Sequence, residues 1–248
     1  MGVYMARHLV ITDPQIKQGR DTSFLRAIGN YCSDKRPDTI VCIGDFADMP
    51  SLSLYDVGKK SFEGRTYKDD VASVHEGMEV LMSPIQKEID RIRRNKKKQW
   101  NPRLVMTLGN HEDRIDRAIN LDRKLDGLIS IDDLKYTSWG WEVIPFLEPI
   151  NIDGVLYCHY FCSGVMGRPV TTARQQLLKM HMSCVAGHQQ GRDVAYSKRG
   201  DGRQMTSIIA GSSYPDDEGY LNGQTNKHWR GVVVLNEVED GSFDEMFV

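Results

Sequence analysis

Along this 248-residue chain, carboxylates, amides and imidazoles recur in one kind of place, just after a short apolar run. "HLVIT" leads to Asp13 and Gln15, "TIVCIG" to Asp45 and Asp48, and "RLVMTLG" to Asn110 and His111. "GVLYC" leads to His159, and "SCVAG" to His188 and Gln190. Each of these residues is a metal ligand, a hydrogen-bonding group or a titratable group. None of the runs ends in the glycine-rich turn that a nucleotide-binding fold uses. Ligands of open α/β sheets bind beyond the carboxyl ends of the strands, so residues this far apart in sequence can meet in one crevice. The chemistry that such a set implies is a metal cluster.

The elements that must position them follow from the same pattern. Runs of four to six residues rich in Val, Ile and Leu read as strands buried on both faces. Between them, Asp21 or Thr22 caps a helix through "FLRAIGNYCSD" that stops before Pro37. Residues from about 70 to 98 read as one long helix, broken or kinked near Pro84, with Val71, Val74, Met78, Leu81, Ile85, Ile89 and Ile92 on one face. "EDRIDRAINLDRKL" and "TTARQQLLKMHM" predict two more helices. After Gly191, "DVAYSK", "QMTSIIAGSSY" and "RGVVVLNEV" predict antiparallel strands. The stretch around 52–70 reads as a surface insertion within a single domain, 1–248.

Composition narrows the class. Lys plus Arg number 32 against 34 Asp plus Glu, a net charge of -2, so no global field draws the chain to nucleic acid or membrane. Five cysteines without a Cys-x-x-Cys pair predict buried free thiols and a reducing compartment, the cytoplasm. No apolar window is long enough to span a membrane. The local exception is "RIRRNKKKQW", residues 91–100. A charge run at a helix end is first a solvated face that complements the helix dipole. The sharper alternative is nucleic-acid contact, with Trp100 or Trp229 as a stacking surface. His181 reads as structural, and His8, His75 and His228 as core or surface residues. Taken singly, Asp13 before Pro14 could be a turn, Asp45 a turn residue or cap, and Asn110 a helix N-cap. Those readings do not explain why all of them sit at strand ends.

In this order, "TDPQ", "GDFAD", "GNHED", the lone His159 and "GHQQ" resemble the calcineurin-like metallophosphoesterase superfamily. That family's pattern is Asp-x-His, Gly-Asp-x-x-Asp, Gly-Asn-His-Glu or Asp, His, and Gly-His-x-His. The match spans residues 13 to 190, and "GNHEDRI" is also similar to members encoded by bacteriophages. The resemblance implies an α/β fold, a four-layer αββα sandwich of two mixed β-sheets flanked by helices. It also implies two divalent metal ions, Mn²⁺ foremost, with Mg²⁺, Fe²⁺ or Zn²⁺ as alternatives. Asp45 would bridge the two ions. Asn110, His159 and His188 complete one of them. The other takes Asp13 and the positions of Gln15 and Gln190, where the family usually has histidines. Both departures fall on the same ion, and an all-oxygen donor set suits Mn²⁺, Mg²⁺ or Ca²⁺ better than Zn²⁺. An asymmetric pair with one weakly held ion is therefore expected.

By the same resemblance His111 is the acid for the leaving group, with Glu112 or Asp113 orienting its imidazole and Asp48 in support. Arg114 and Asn110 face the substrate phosphate. "HYFCSG" departs from the family in placing Tyr160 where a glycine is usual. The implied activity is hydrolysis of phosphodiesters or phosphomonoesters by a metal-activated water. No capping domain is evident, so the site is open, which favours a nucleotide or nucleic-acid phosphodiester. The alternatives are a protein or small-molecule phosphomonoesterase, and a binding scaffold that lost catalysis with Gln15 and Gln190.

Overall fold

The structure, a computed structural model, describes residues 5–95, 99–215 and 228–248. In chain order the strands are β1 (Ala6–Thr12), β2 (Thr39–Ile43), β3 (Arg103–Thr107), β4 (Glu142–Ile144), β5 (Ile150–Ile152) and β6 (Val155–Tyr157). They continue with β7 (Cys184–Ala186), β8 (Arg192–Lys198), β9 (Gln204–Ala210), β10 (Val233–Glu239) and β11 (Ser242–Phe247). The helices are α1 (Ser23–Lys35), α2 (Tyr67–Arg94), α3 (Arg114–Leu121) and α4 (Ala173–Met180).

Two mixed sheets form, one in the order β11-β10-β1-β2-β3-β4 and the other β5-β6-β7-β9-β8. Side chains alternate between the faces of a strand. Leu9, Ile11, Ile40, Cys42 and Met106 therefore turn outward, onto Leu25 and Ile28 of α1 and Met78, Leu81 and Ile85 of α2. Val10, Val41, Ile43 and Val105 turn inward, onto Tyr157, Val185, Ile208 and Ala210 of the second sheet. On that sheet's outer face Cys158, Cys184 and Ala186 belong to a third cluster, covered by Met180 of α4. The result is the expected four-layer α/β sandwich. The apolar runs do not alternate with polar residues because both of their faces are covered.

Several element bounds differ from the sequence reading. Helix α2 runs through Pro84 without interruption, because Leu81, Met82 and Ile85 around it are fully buried and hold the helix on the sheet. It starts at Tyr67 rather than near 70, where the Thr66 side chain accepts from the Asp69 N–H. At α1 it is Asp21, not Thr22, whose carboxylate accepts from the Ser23 N–H and hydroxyl. Helix α3 ends at Leu121, with a separate short 3-10 turn at Arg123–Leu125.

Of the basic run, Arg91 and Arg93 pair with Glu88 and Asp90 on their own helix. Lys96, Lys97 and Lys98 lie outside the described residues. Trp100 is no stacking platform, since it is buried and its Nε1–H donates to the Pro37 carbonyl. All five cysteines are free thiols, four of them buried. Among the described residues no helix is long and apolar enough to cross a membrane.

Candidate metal centre

Strands β1, β2 and β3 run parallel to one another, as do β6 and β7, so their carboxyl ends open on the same edge of the sandwich. Asp13, Asp45, Asn110, His159 and His188 stand just past those ends. The turns that aim them are strained. Asp13, Gln15, Asp45, His188 and Gln190 hold φ of 40°, 47°, 48°, 66° and 54°, in the left-handed region that L-residues rarely visit. The neighbouring glycines are there for space. A Cβ on Gly109 would lie 2.1 Å from Asp45 Oδ1, and one on Gly187 would lie 2.5 Å from Asp13 Oδ1. The acids pack directly on bare backbone.

The imidazole half of the site is a convergence of acceptors. His159 Nδ1 donates to the Ile43 carbonyl at 3.0 Å, which turns Nε2 toward Asn110 Oδ1 at 2.9 Å and Asp45 Oδ2 at 3.2 Å. Ligand atoms of Asp45, His159 and His188 all lie within 4.8 Å of one another. Two oxygens and a ring nitrogen facing each other need a proton or a cation between them. Burial disfavours the charged imidazole, yet the Asp45 and Asp13 carboxylates outweigh it and raise His159 to about 10. His188 is lowered to about 4 by burial and by the adjacent His159. Tyr160 lies against it, ring centroids 4.8 Å apart, and Phe146 packs edge-on to Tyr160. The tyrosine thus covers one face of His188.

In the amide half, Asp13 is fully buried, and its Oδ1 accepts from the His188 N–H while Oδ2 has no hydrogen-bond partner among the described residues. Burial, with Asp45 alongside, pushes its carboxyl up to about 8. Gln15 and Gln190 are buried beside it, and the Tyr214 hydroxyl donates to Gln190 Oε1 at 2.8 Å. An orphaned carboxylate oxygen, the converging acceptors and a donor set of acids, amides and imidazoles fit a divalent cation in both halves.

The calcineurin-like phosphoesterase family model matches residues 6–188. The chain belongs to this family. Among solved structures it is similar to a conserved uncharacterised protein of Streptococcus pneumoniae TIGR4 described as a predicted phosphoesterase. The two are 10% identical over 100% of each chain, with a TM-score of 0.35. A second solved chain is 10% identical with a TM-score of 0.39, over 98% of this chain and 99% of that one. No curated protein sequence matches the chain.

Within this calcineurin-like phosphoesterase, His111 stands at the edge of the cluster. Its N–H donates to Asp45 Oδ1, and its Nδ1 meets both Oδ1 and the carbonyl of Asp48, at 2.8 and 2.9 Å. Nε2 is left facing Asp45 Oδ2 at 3.7 Å and an Arg114 guanidinium nitrogen at 3.4 Å. Burial works against a charged ring, but the Asp45 charge and the bond to Asp48 raise His111. Asp48, itself bonded to Lys17 at 3.0 Å, is therefore the carboxylate that orients this imidazole. Its own burial penalty is overcome by His111 and Lys17, which hold it well below the usual carboxylate range.

The expected orienting contacts from Glu112 and Asp113 do not form. Asp113 pairs with Arg117 at 2.9 Å. Glu112 points the other way, accepting from the backbone N–H groups of Asp45, Ala47 and Gly109 and from the Tyr136 hydroxyl. Burial and Asp45 raise its carboxyl, against the N–H donors that favour the ionised form. Glu112 ties the turn after β2 to the turn after β3. Arg114 donates to the carbonyls of Asp48 and Met49. Sequence reasoning missed Lys17, Tyr136 and Tyr214, which lie outside the motifs and carried no signal of their own. A cleft of about 950 Å³ opens on this edge, lined by Gln15, Gln190, Asp48, His111 and Arg114 on one side and by the 50–70 segment on the other.

Proposed function

We propose that this chain hydrolyses phosphate esters with the help of two divalent ions, Mn²⁺ foremost, and that its substrates are phosphodiesters of nucleotides or nucleic acid. The observation that carries the reading is His111, whose ring is fixed through Nδ1 while Nε2 faces the cluster of ligands. Asp45, Asn110, His159 and His188 would hold one ion. Asp13, Gln15 and Gln190, with Asp45, would hold the other, and their oxygen donors make it the weaker. Divalent ions, when bound, supply Lewis-acid charge for the phosphoryl oxygens and acidify a water.

The chain's own residues do the rest. Arg114, beside His111 and lining the cleft, binds a phosphoryl oxygen. His111 delivers the proton from Nε2 to the leaving oxygen while Asp48 and Lys17 keep the ring from turning. Tyr160 and Phe146 shield His188 from bulk water. The volume of the cleft, about 950 Å³, supports a diester, whose two substituents both need room. The free thiols support a cytoplasmic setting, and the pairing of β10 and β11 with β1, beyond the family match over 6–188, supports residues 1–248 as one metallophosphoesterase domain.

The test is release of a chromophore from a phosphodiester and from the matching monoester, with Mn²⁺, Mg²⁺ or Zn²⁺ added. Diester turnover should be highest with Mn²⁺, fall at least about 100-fold in His111→Ala and vanish in Asp45→Asn. No hydrolysis of either ester with any of the three metals refutes the reading.

A further inference from the structure

Beside the cleft runs a second groove of about 310 Å³, lined by Leu52, Leu54, Tyr55, Arg114, Arg117, Ala118 and Leu121, with the Arg117 guanidinium paired to Asp113 at 2.9 Å. Its volume is at the lower end of the range for small-molecule sites. Residues 114, 118 and 121 recur at the four- and three-residue spacing of one helix face, so α3 supplies a continuous wall leading away from Arg114. The opposite wall is Leu54 and Tyr55, from the segment between β2 and α2. Three of these apolar side chains are left in solvent: Leu54 is 63% exposed, Tyr55 84% and Leu121 69%. Single exposed apolar residues are ordinary, but three lining one groove beside a polar site call for an occupant.

Two residues, Tyr55 and Arg114, line both the cleft and the groove. Arg114 also reaches to within 3.4 Å of His111 Nε2. The groove therefore begins where a leaving group departs. An occupant must carry a phosphoryl charge at the Arg114 end and an apolar, flat body beyond it. An aromatic ring meets both walls at once, stacking on Tyr55 and packing its edge on Leu54 and Leu121. An unsubstituted alkyl group would leave Tyr55 uncovered.

We infer that this groove is a leaving-group subsite for a planar aromatic ring, nucleobase or aryl, with Tyr55 as the stacking surface and Leu121 as the opposite wall. The inference rests on the phosphoesterase reading for the placement of the phosphate and adds the class of substrate that the site prefers. Arg114 fixes the phosphoryl end, and Tyr55 and Leu121 select what is attached to it.

The experiment measures equilibrium binding of three non-hydrolysable or product ligands to the Mn²⁺-supplemented protein by calorimetry: benzylphosphonate, ethylphosphonate and adenosine 5′-monophosphate. The wild type should bind benzylphosphonate and adenosine 5′-monophosphate about 10-fold or more tightly than ethylphosphonate, in the range expected for one stacked ring. Tyr55→Ala and Leu121→Ser should each remove most of that preference without weakening ethylphosphonate, while Tyr55→Phe keeps it. Both side chains are exposed, so the variants keep the fold, and an unchanged thermal midpoint verifies this. Tighter binding of adenosine 5′-monophosphate than of benzylphosphonate identifies the ring as a nucleobase, and equal binding identifies a general aryl site. Equal affinity of the wild type for all three ligands overturns the inference, and so does a preference that survives both variants. Ring preference in a protein that hydrolyses nothing would sink the phosphoesterase reading and leave the subsite standing. Hydrolysis without ring preference would do the reverse.

Discussion

At its start β1 buries His8, and just past its end it buries Asp13; neither side chain reaches solvent. The two buried groups are provided for in opposite ways. His8 meets the Tyr157 hydroxyl through Nδ1 at 2.7 Å and Asp153 through Nε2 at 2.9 Å, so a neutral ring has one acceptor and one donor both engaged. Asp13 keeps one oxygen without a hydrogen-bond partner among the described residues, on a backbone at φ 40°, where burial and the nearby Asp45 carboxylate raise its pKa. Burying a polar group is costly unless it is hydrogen-bonded. The same strand therefore satisfies its polar residue where the task is packing, and leaves one unsatisfied at the edge where the candidate metal ligands gather.

The contrast can be broken most sharply at the Asp13 end. Asp13→Asn keeps the Oδ1 acceptor for the His188 N–H but removes the charge, and kcat/KM should fall at least about 100-fold. The metal-free variant should meanwhile melt at a higher temperature than the wild type, because an unpartnered buried carboxylate has been removed. Calorimetry in the presence of a chelator measures this, and a lower midpoint would mean that Asp13 is a packing residue like His8. At the other end the signs exchange. His8→Ala leaves a cavity and orphans the Tyr157 hydroxyl, so denaturant unfolding should show a loss of about 2 kcal/mol, with kcat/KM of the folded variant unchanged.

The smallest effect is on pH. Burial lowers the His8 pKa below 6.5, outweighing the hydrogen bond and charge of Asp153. The unfolded chain then takes up a proton before the folded one as pH falls through 6.5. Stability that is fully present above 6.5 is lost on acidification toward the folded-state pKa, at no more than about 1.4 kcal/mol per pH unit. Unfolding midpoints measured between pH 7.5 and 5.5 should slope less in His8→Gln than in the wild type. Equal slopes would place the acid sensitivity elsewhere.

Much of the molecule was legible in its sequence because apolar runs such as "TIVCIG" are long, unbroken and punctuated by glycine. Strands β4 and β5 were not, since each has three residues and places a polar side chain, Glu142 or Asn151, within its span. The positions that gather at the sheet edge were readable because each follows a strand. The partner of His111 was not, because Asp48, Glu112 and Asp113 are all carboxylates near it in the motifs, and only their directions in space distinguish them. Glu112, next to His111 in sequence, turns its side chain into the core, while Asp48 reaches the ring from 63 residues away. Adjacency along the chain misled where the backbone turns sharply.

Those sharp turns also govern how an ion would arrive. Five of the candidate ligands already sit in conformations that an isolated peptide would seldom sample, held there by the two sheets and by close contact with bare glycine backbone. Were an ion captured there, the loops would need little rearrangement, so loading would be paced by how fast the ion sheds its water, and a slowly dehydrating ion such as Mg²⁺ would enter last.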